Sequence, residues 1–157
     1  MTTAAKTFSS FTPEPRAPRR LCISDFMTAS PHSVGADQTL ETAHLLMRKH
    51  RIRHLPVLRA GELVGVVSQR DLLFVETLRD VDPTQVTVEE AMTQGAFAVG
   101  PGASLASVAT KMSAHRYGCA VVIEDGDVIG IFTATDSLRA VAELASGEAR
   151  TTTHASH

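Results

Sequence analysis

Two stretches decide how this chain folds: Gly65-Val66-Val67-Ser68-Gln69-Arg70-Asp71 and Gly130-Ile131-Phe132-Thr133-Ala134-Thr135-Asp136. Each reads Gly, two apolar residues, a hydroxyl residue, two further residues and Asp. This is the pattern of a strand passing into a helix. Ser68 or Thr133 can cap that helix, and Asp71 or Asp136 in its first turn complements the dipole. The same residues suit a ligand. Gly permits close approach of a ligand or a neighbouring backbone. Free N–H groups at a helix start can hold a phosphate, and an ionised Asp, an acceptor only, suits a pair of sugar hydroxyls. Capping accounts for one copy; two copies in register point to binding.

The two stretches lie 65 residues apart, and the match extends outward without a gap. Met27-Thr28 falls on Met92-Thr93, Val34-Gly35 on Val99-Gly100, and His50-Arg51 on His115-Arg116. From Met27 to Leu73 there are 13 identities in 47 positions, where chance gives roughly 3. Two copies are too few for a solenoid, so the repeat predicts two halves packed by pseudo-twofold symmetry. Leu40, Ala43, Met47 and His50 recur at helical spacing, as do Leu105, Val108, Met112 and His115, with Thr39 and Ser104 as N-caps. A hairpin follows in each copy, turning at Arg59–Glu62 and at Glu124–Asp127. A second helix is expected from Gln69 to about Arg79 and from Ala134 to about Leu144. Thr87-Val88-Glu89-Glu90 has the form of a capping box. The fold class predicted is α+β: two β-α-β-β-α units packed through their sheets.

The chain has 157 residues, 43 % apolar and 20 % charged, enough for one domain or two small ones sharing a core. No apolar run has transmembrane length or signal-peptide form, so neither membrane insertion nor secretion is expected and a cytoplasmic location is. Cys22 and Cys119 make no disulfide framework and lack metal-site spacing. Net charge is −2 overall, +3 in residues 1–21 and −5 in residues 22–145, which argues against a nucleic-acid surface. Residues 1–20 and 146–157 are polar and poor in periodic apolar positions; a flexible arm and a flexible tail are expected there. The folded units are expected at 21–80 and 81–145.

The repeat, the Met-Thr pairs, Leu55-Pro56-Val57 with its hairpin, and both Gly-to-Asp strings together resemble a tandem pair of CBS domains, also called a Bateman module. The resemblance covers about residues 21–145. It implies two clefts between the units and binding of an adenosine compound: AMP, ADP, ATP or S-adenosylmethionine. No cofactor is required by it. It also implies a disc-like homodimer and a regulated partner protein of unknown identity. Carried over by position, Asp71 and Asp136 would contact ribose, and Ser68 and Thr133 phosphate or ribose. Pro31-His32-Ser33 and Ala96-Phe97-Ala98 would line the base pocket. The backbone at His54-Leu55-Pro56 and at Cys119-Ala120-Val121 would form its other wall, and Thr28 and Thr93 would border the clefts.

The copies are not equivalent. Arg70 precedes the first Asp and Thr135 the second. The first unit (22–73) carries +1 and the second (87–145) −4, so a polyphosphate is better attracted to the first. Arg51 and Arg116, at repeated positions near a helix end, are the phosphate candidates; surface charge or a dimer contact is the alternative. His44, His50 and His54 share a four-residue spacing, but a metal site needs further ligands. Ser68, His54 and Asp71 are triad residue types without a nucleophile elbow, and there is no Walker loop, so no catalysis is expected. Cys119 should be an inert, buried thiol. The rival to ligand sensing is a ligand-free interaction or dimerisation module, in which the Gly-to-Asp strings are caps alone.

Overall fold

A computed structural model describes residues 20–147. The expectations for the arm and for most of the tail lie outside the described residues.

The elements follow the predicted grammar. The first copy comprises β1 (Thr28–Ala29), β2 (Val34–Gly35), α1 (Leu40–His50), β3 (His54–Arg59), β4 (Glu62–Ser68) and α2 (Gln69–Glu76). After α3 (Val88–Ala91) the second copy repeats it as β5 (Thr93–Gln94), β6 (Ala98–Val99), α4 (Leu105–His115), β7 (Cys119–Glu124), β8 (Asp127–Thr133) and α5 (Ala134–Ala145). Thr39 and Ser104 cap α1 and α4 by accepting from the N–H groups of Thr42 and Ser107. Both helices end on an arginine in the left-handed region, Arg51 and Arg116. Both hairpins turn through two consecutive positive-φ residues, Ala60-Gly61 and Asp125-Gly126, the geometry that matches strand twist. One helix is shorter than expected. α2 stops at Glu76, where the Thr77 hydroxyl donates to the Phe74 carbonyl at 2.6 Å and competes for the backbone acceptor.

Two four-stranded sheets result, ordered β2-β3-β4-β5 and β1-β8-β7-β6. Each hairpin is antiparallel, with a parallel strand from its own copy on one edge (β2 on β3, β6 on β7). The other edge strand comes from the other copy. β5 pairs with β4 through Gly65↔Gln94 and Val66↔Thr93; β1 pairs with β8 through Thr28↔Ile131 and Ala29↔Gly130.

Packing follows the same exchange. Val34, Leu40, Met47, Leu55, Val67 and Leu72 form one core, and Val88 from the connecting segment completes it. Leu105, Met112, Val122, Phe132 and Ala140 form the other, completed by Ile23 and Phe26 from the start of the first copy. Backbone bonds tie the segments down symmetrically: Val88 N–H donates to Gln38 O at 2.8 Å, and Ile23 N–H to Ala103 O at 2.8 Å. The sequence units and the packing units therefore differ at their leading segments. An unpaired edge on β4 or β8 would leave backbone donors and acceptors open, and the exchanged strands satisfy them.

The repeated glycines serve this exchange. A Cβ at Gly65 would stand 2.6 Å from the Thr93 carbonyl oxygen and 2.8 Å from Met92 Sδ. A Cβ at Gly130 would collide with Met27 Sδ. Each Gly-to-Asp string is thus bare at its first residue because the other copy's Met-Thr pair lies on it.

Candidate functional site

Both hydroxyl–Asp pairs form reciprocal capping boxes. Ser68 Oγ accepts from Asp71 N–H at 3.1 Å, while Asp71 Oδ2 accepts from Ser68 N–H and Oγ–H, each at 2.8 Å. Thr133 and Asp136 repeat the arrangement at 3.3, 2.9 and 3.1 Å. Capping is therefore real in both copies, and only the carboxylate oxygen that each cap leaves over is open to other donors.

Here the copies part. Asp136 is 5 % exposed. Its second oxygen, Oδ1, accepts from Arg139 Nη2 at 3.0 Å and from the Thr28 hydroxyl at 3.4 Å. Asp71 is only half-buried, and among the described residues no hydrogen bond reaches its Oδ1.

Asp71 lies in a cleft of about 870 Å³ between the two copies, within the size range of small-molecule sites. The first copy contributes Arg53, His54, Ser68, Arg70, Asp71 and Phe74; the second contributes Thr93, Ala96, Phe97, Arg116, Tyr117 and Cys119. Strand pairing explains the meeting. Joining β5 to β4 carries Thr93 and the following loop to the end of the first hairpin, next to the α2 N-terminus. His54 closes the floor against Gly118, where any Cβ would strike the imidazole.

Three arginines, Arg53, Arg70 and Arg116, and one carboxylate, Asp71, line this cleft. Burial holds His54 below its ordinary pKa; Asp71 opposes the shift, and Arg53 and Arg70 add to it. Near neutral pH the imidazole is therefore uncharged. Burial, with Asp71 adding to it, pushes the Cys119 thiol up to about 12, so it stays protonated. Phe97 and Tyr117 form an aromatic pair with centroids 5.3 Å apart, and His115 stacks on Tyr117 with centroids 5.2 Å apart.

Of the residues singled out in the sequence, His54, Ser68, Arg70, Asp71, Thr93, Ala96, Phe97, Arg116 and Cys119 meet in this cleft. Thr28 and Thr133 gather instead around Asp136. Pro31, His32, Ser33 and Arg51 belong to the matching positions of the first copy, where His32 stacks on His50 with centroids 3.5 Å apart. Leu55, Pro56 and Ala120 are fully buried in β3 and β7, and Ala98 begins β6. The spaced histidines do not assemble: His44 Nε2 lies 2.6 Å from Glu76, and His54 sits on a strand. No metal-ligating cluster occurs among the described residues. Arg53 belongs to the basic stretch 48–54 around Arg51, whereas Phe74 and Tyr117 carried no expectation. Tyr117, the chain's single tyrosine, follows the repeated Arg116, which is the signal that could have found it.

The fold and cleft define a class: a pseudo-symmetric pair of α+β modules that exchange edge strands and enclose a basic cleft. The CBS domain model matches residues 23–76 and 88–143, and the chain belongs to the CBS-domain family. Among solved structures it resembles CBSX2 in complex with AMP (27 % identity, TM-score 0.70, 79 % of this chain and 98 % of that one). It also resembles the CBS domain pair of protein MJ0100 with 5′-methylthioadenosine and S-adenosyl-L-methionine (25 %, TM-score 0.70, 82 % and 98 %). Among curated proteins it is 34 % identical over 115 residues to inosine-5′-monophosphate dehydrogenase of Korarchaeum cryptofilum. That match covers 73 % of this chain but only 22 % of the dehydrogenase. Among the described residues no helix is long and apolar enough to cross a membrane.

Proposed function

We propose that the Asp71 cleft binds one adenosine nucleotide and that the chain is a regulatory module. The observation that carries this reading is the uncommitted Oδ1 of Asp71, facing a basic cleft built by both copies. In this reading Asp71 accepts from the ribose hydroxyls. Arg53, Arg70 and Arg116 hold phosphate, for which guanidinium forks are well suited. The Phe97–Tyr117 pair packs against one side of the base. The surplus of positive charge favours AMP, ADP or ATP over S-adenosylmethionine, whose sulfonium centre is itself a cation. That CBSX2 is solved with AMP supports the ligand class.

Binding, not turnover, suits these groups. The Ser68 hydroxyl is engaged in its cap, and the Cys119 thiol is held protonated. A ligand that touches both copies favours one relative arrangement of them, by no more than its difference in affinity between arrangements. The partner that reads the change is a second protein. Leu73, Phe74 and Leu78 around α2, and Leu138, Val141 and Leu144 on α5, are large apolar side chains left exposed. They suit a homodimer through these helices. The same surface favours the ligand-free interaction module as the second reading.

The test is a titration of isotope-labelled protein with AMP, followed by amide resonances. The largest shifts are expected at Ser68–Asp71, Thr93–Phe97 and Arg116–Cys119. Shifts elsewhere only, or none at millimolar AMP, would leave the interaction module.

A further inference from the structure

Arg139 and Phe74 occupy the same position in the two copies, three residues after Asp136 and Asp71. Arg139 Nη2 donates to Asp136 Oδ1 and to the Phe26 carbonyl, each at 3.0 Å. Thr28 donates to the same Oδ1. The guanidinium thus sits at the one carboxylate oxygen that its cap leaves over, and bridges it to the segment that crosses from the first copy. Phe74 can donate nothing to Asp71; it is 67 % exposed and lies along the Asp71 cleft.

We infer that Arg139 is a built-in plug: it satisfies Asp136 from within the chain and so restricts nucleotide binding to the Asp71 cleft. Three features of the geometry support this. Asp136 carries the same cap as Asp71, so the hydrogen-bonding of the two carboxylates differs in what reaches Oδ1. Arg139 supplies both a charge and a directed donor, the two properties with which a ligand's hydroxyls would have to compete. Its second bond, to Phe26 O, fixes the guanidinium against a backbone that is itself buried in the second core. Displacing it would leave Asp136, a buried carboxylate, without its cationic partner and with only the cap and the Thr28 hydroxyl as donors. A single residue, arginine or phenylalanine, then decides whether a copy keeps its carboxylate for itself or offers it.

This inference rests on the nucleotide-binding reading, and calorimetric stoichiometry separates the two. The 157-residue chain and its Arg139→Ala and Phe74→Arg variants are titrated with AMP, with folding checked by circular dichroism and an unchanged association state by sedimentation equilibrium. One AMP per wild-type chain, two per Arg139→Ala chain, and affinity lowered at least tenfold in Phe74→Arg are expected. Phe74→Arg guards against an Arg139→Ala protein that does not fold, because position 74 is on the surface. One site in both wild type and Arg139→Ala overturns the plug and leaves the Asp71 reading standing. Unchanged or tighter binding by Phe74→Arg, or two sites in wild type, also overturns it. No binding by wild type with one site in Arg139→Ala supports the plug while the Asp71 reading falls. No binding by any of the three overturns both.

Discussion

Met27 lies over Gly130, so the Met-Thr pair of the first copy covers the first residue of the second copy's Gly-to-Asp string. Met92 lies over Gly65 in the same way, but there the Thr93 carbonyl oxygen crowds the site as well, at 2.6 Å from a Cβ. A thioether can turn aside, whereas a paired backbone carbonyl cannot. Gly65→Ala should therefore cost about 1–3 kcal/mol and Gly130→Ala less, at the lower end of the overpacking range. Urea denaturation midpoints check the order; equal costs would mean that the backbone approach at Gly65 is looser than described.

The two aspartates should separate stability from binding. Asp71→Ala loses its half of a capping box, about 1 kcal/mol, and should weaken AMP binding at least tenfold. Asp136→Ala removes four hydrogen-bond donors' shared acceptor and should cost roughly 1–3 kcal/mol, with AMP affinity unchanged within about twofold. Thermal melts and calorimetry on both proteins read this directly. A binding loss in Asp136→Ala and not in Asp71→Ala would place the ligand in the wrong half.

Much of this was legible from the sequence because its signals are local. Helix periodicity, the caps at Thr39, Ser104, Ser68 and Thr133, and the two turns depend on residues within four positions of each other. The repeat itself predicted the paired architecture. The exchange of β1 and β5 was not legible, because strands of two residues carry no period, and their partners lie across the chain. The difference between Asp71 and Asp136 was hidden for a related reason. The sequence offers Arg139 and Phe74 as two ordinary helix-surface residues. Only the approach of Phe26 and Thr28, set by the exchange, turns Arg139 onto the carboxylate. Arg51 and Arg116 are equivalent as repeated residues, yet only Arg116 lines the Asp71 cleft, which draws this position from the second copy together with Thr93, Phe97 and Cys119.

Stability should depend on pH through His54. Its folded pKa lies below the ordinary 6.5 because of burial, with Asp71 opposing the shift and the neighbouring arginines adding to it. Above about pH 6.5 the imidazole is neutral in both states and adds no pH dependence. As pH falls below that value the unfolded chain takes up a proton that the folded chain refuses, so stability is lost until the lower folded pKa is reached. Denaturation midpoints at pH 7.5 and 5.5 should drop more for the wild type than for His54→Asn. Identical drops would show that His54 is free to protonate against Gly118.

The exposed leucines and valine of α5 should mediate self-association. Leu138→Asp with Val141→Asp is expected to halve the mass seen by sedimentation equilibrium, because burying two carboxylates in an apolar interface is costly. A wild-type protein that sediments as a monomer would remove the basis for the dimer.

The central claim is that Asp71 holds an anionic adenosine nucleotide, and a thermal-shift comparison tests it most directly. Wild type and Asp71→Ala are melted with AMP, ATP and S-adenosylmethionine in turn, each at millimolar concentration. A ligand at about 100 times its Kd adds roughly 2.7 kcal/mol of stability, several degrees for a chain of this size. The wild type should be raised by AMP or ATP more than by S-adenosylmethionine, and the rise should vanish in Asp71→Ala. No rise with either nucleotide, or an equal rise in Asp71→Ala, would contradict the claim.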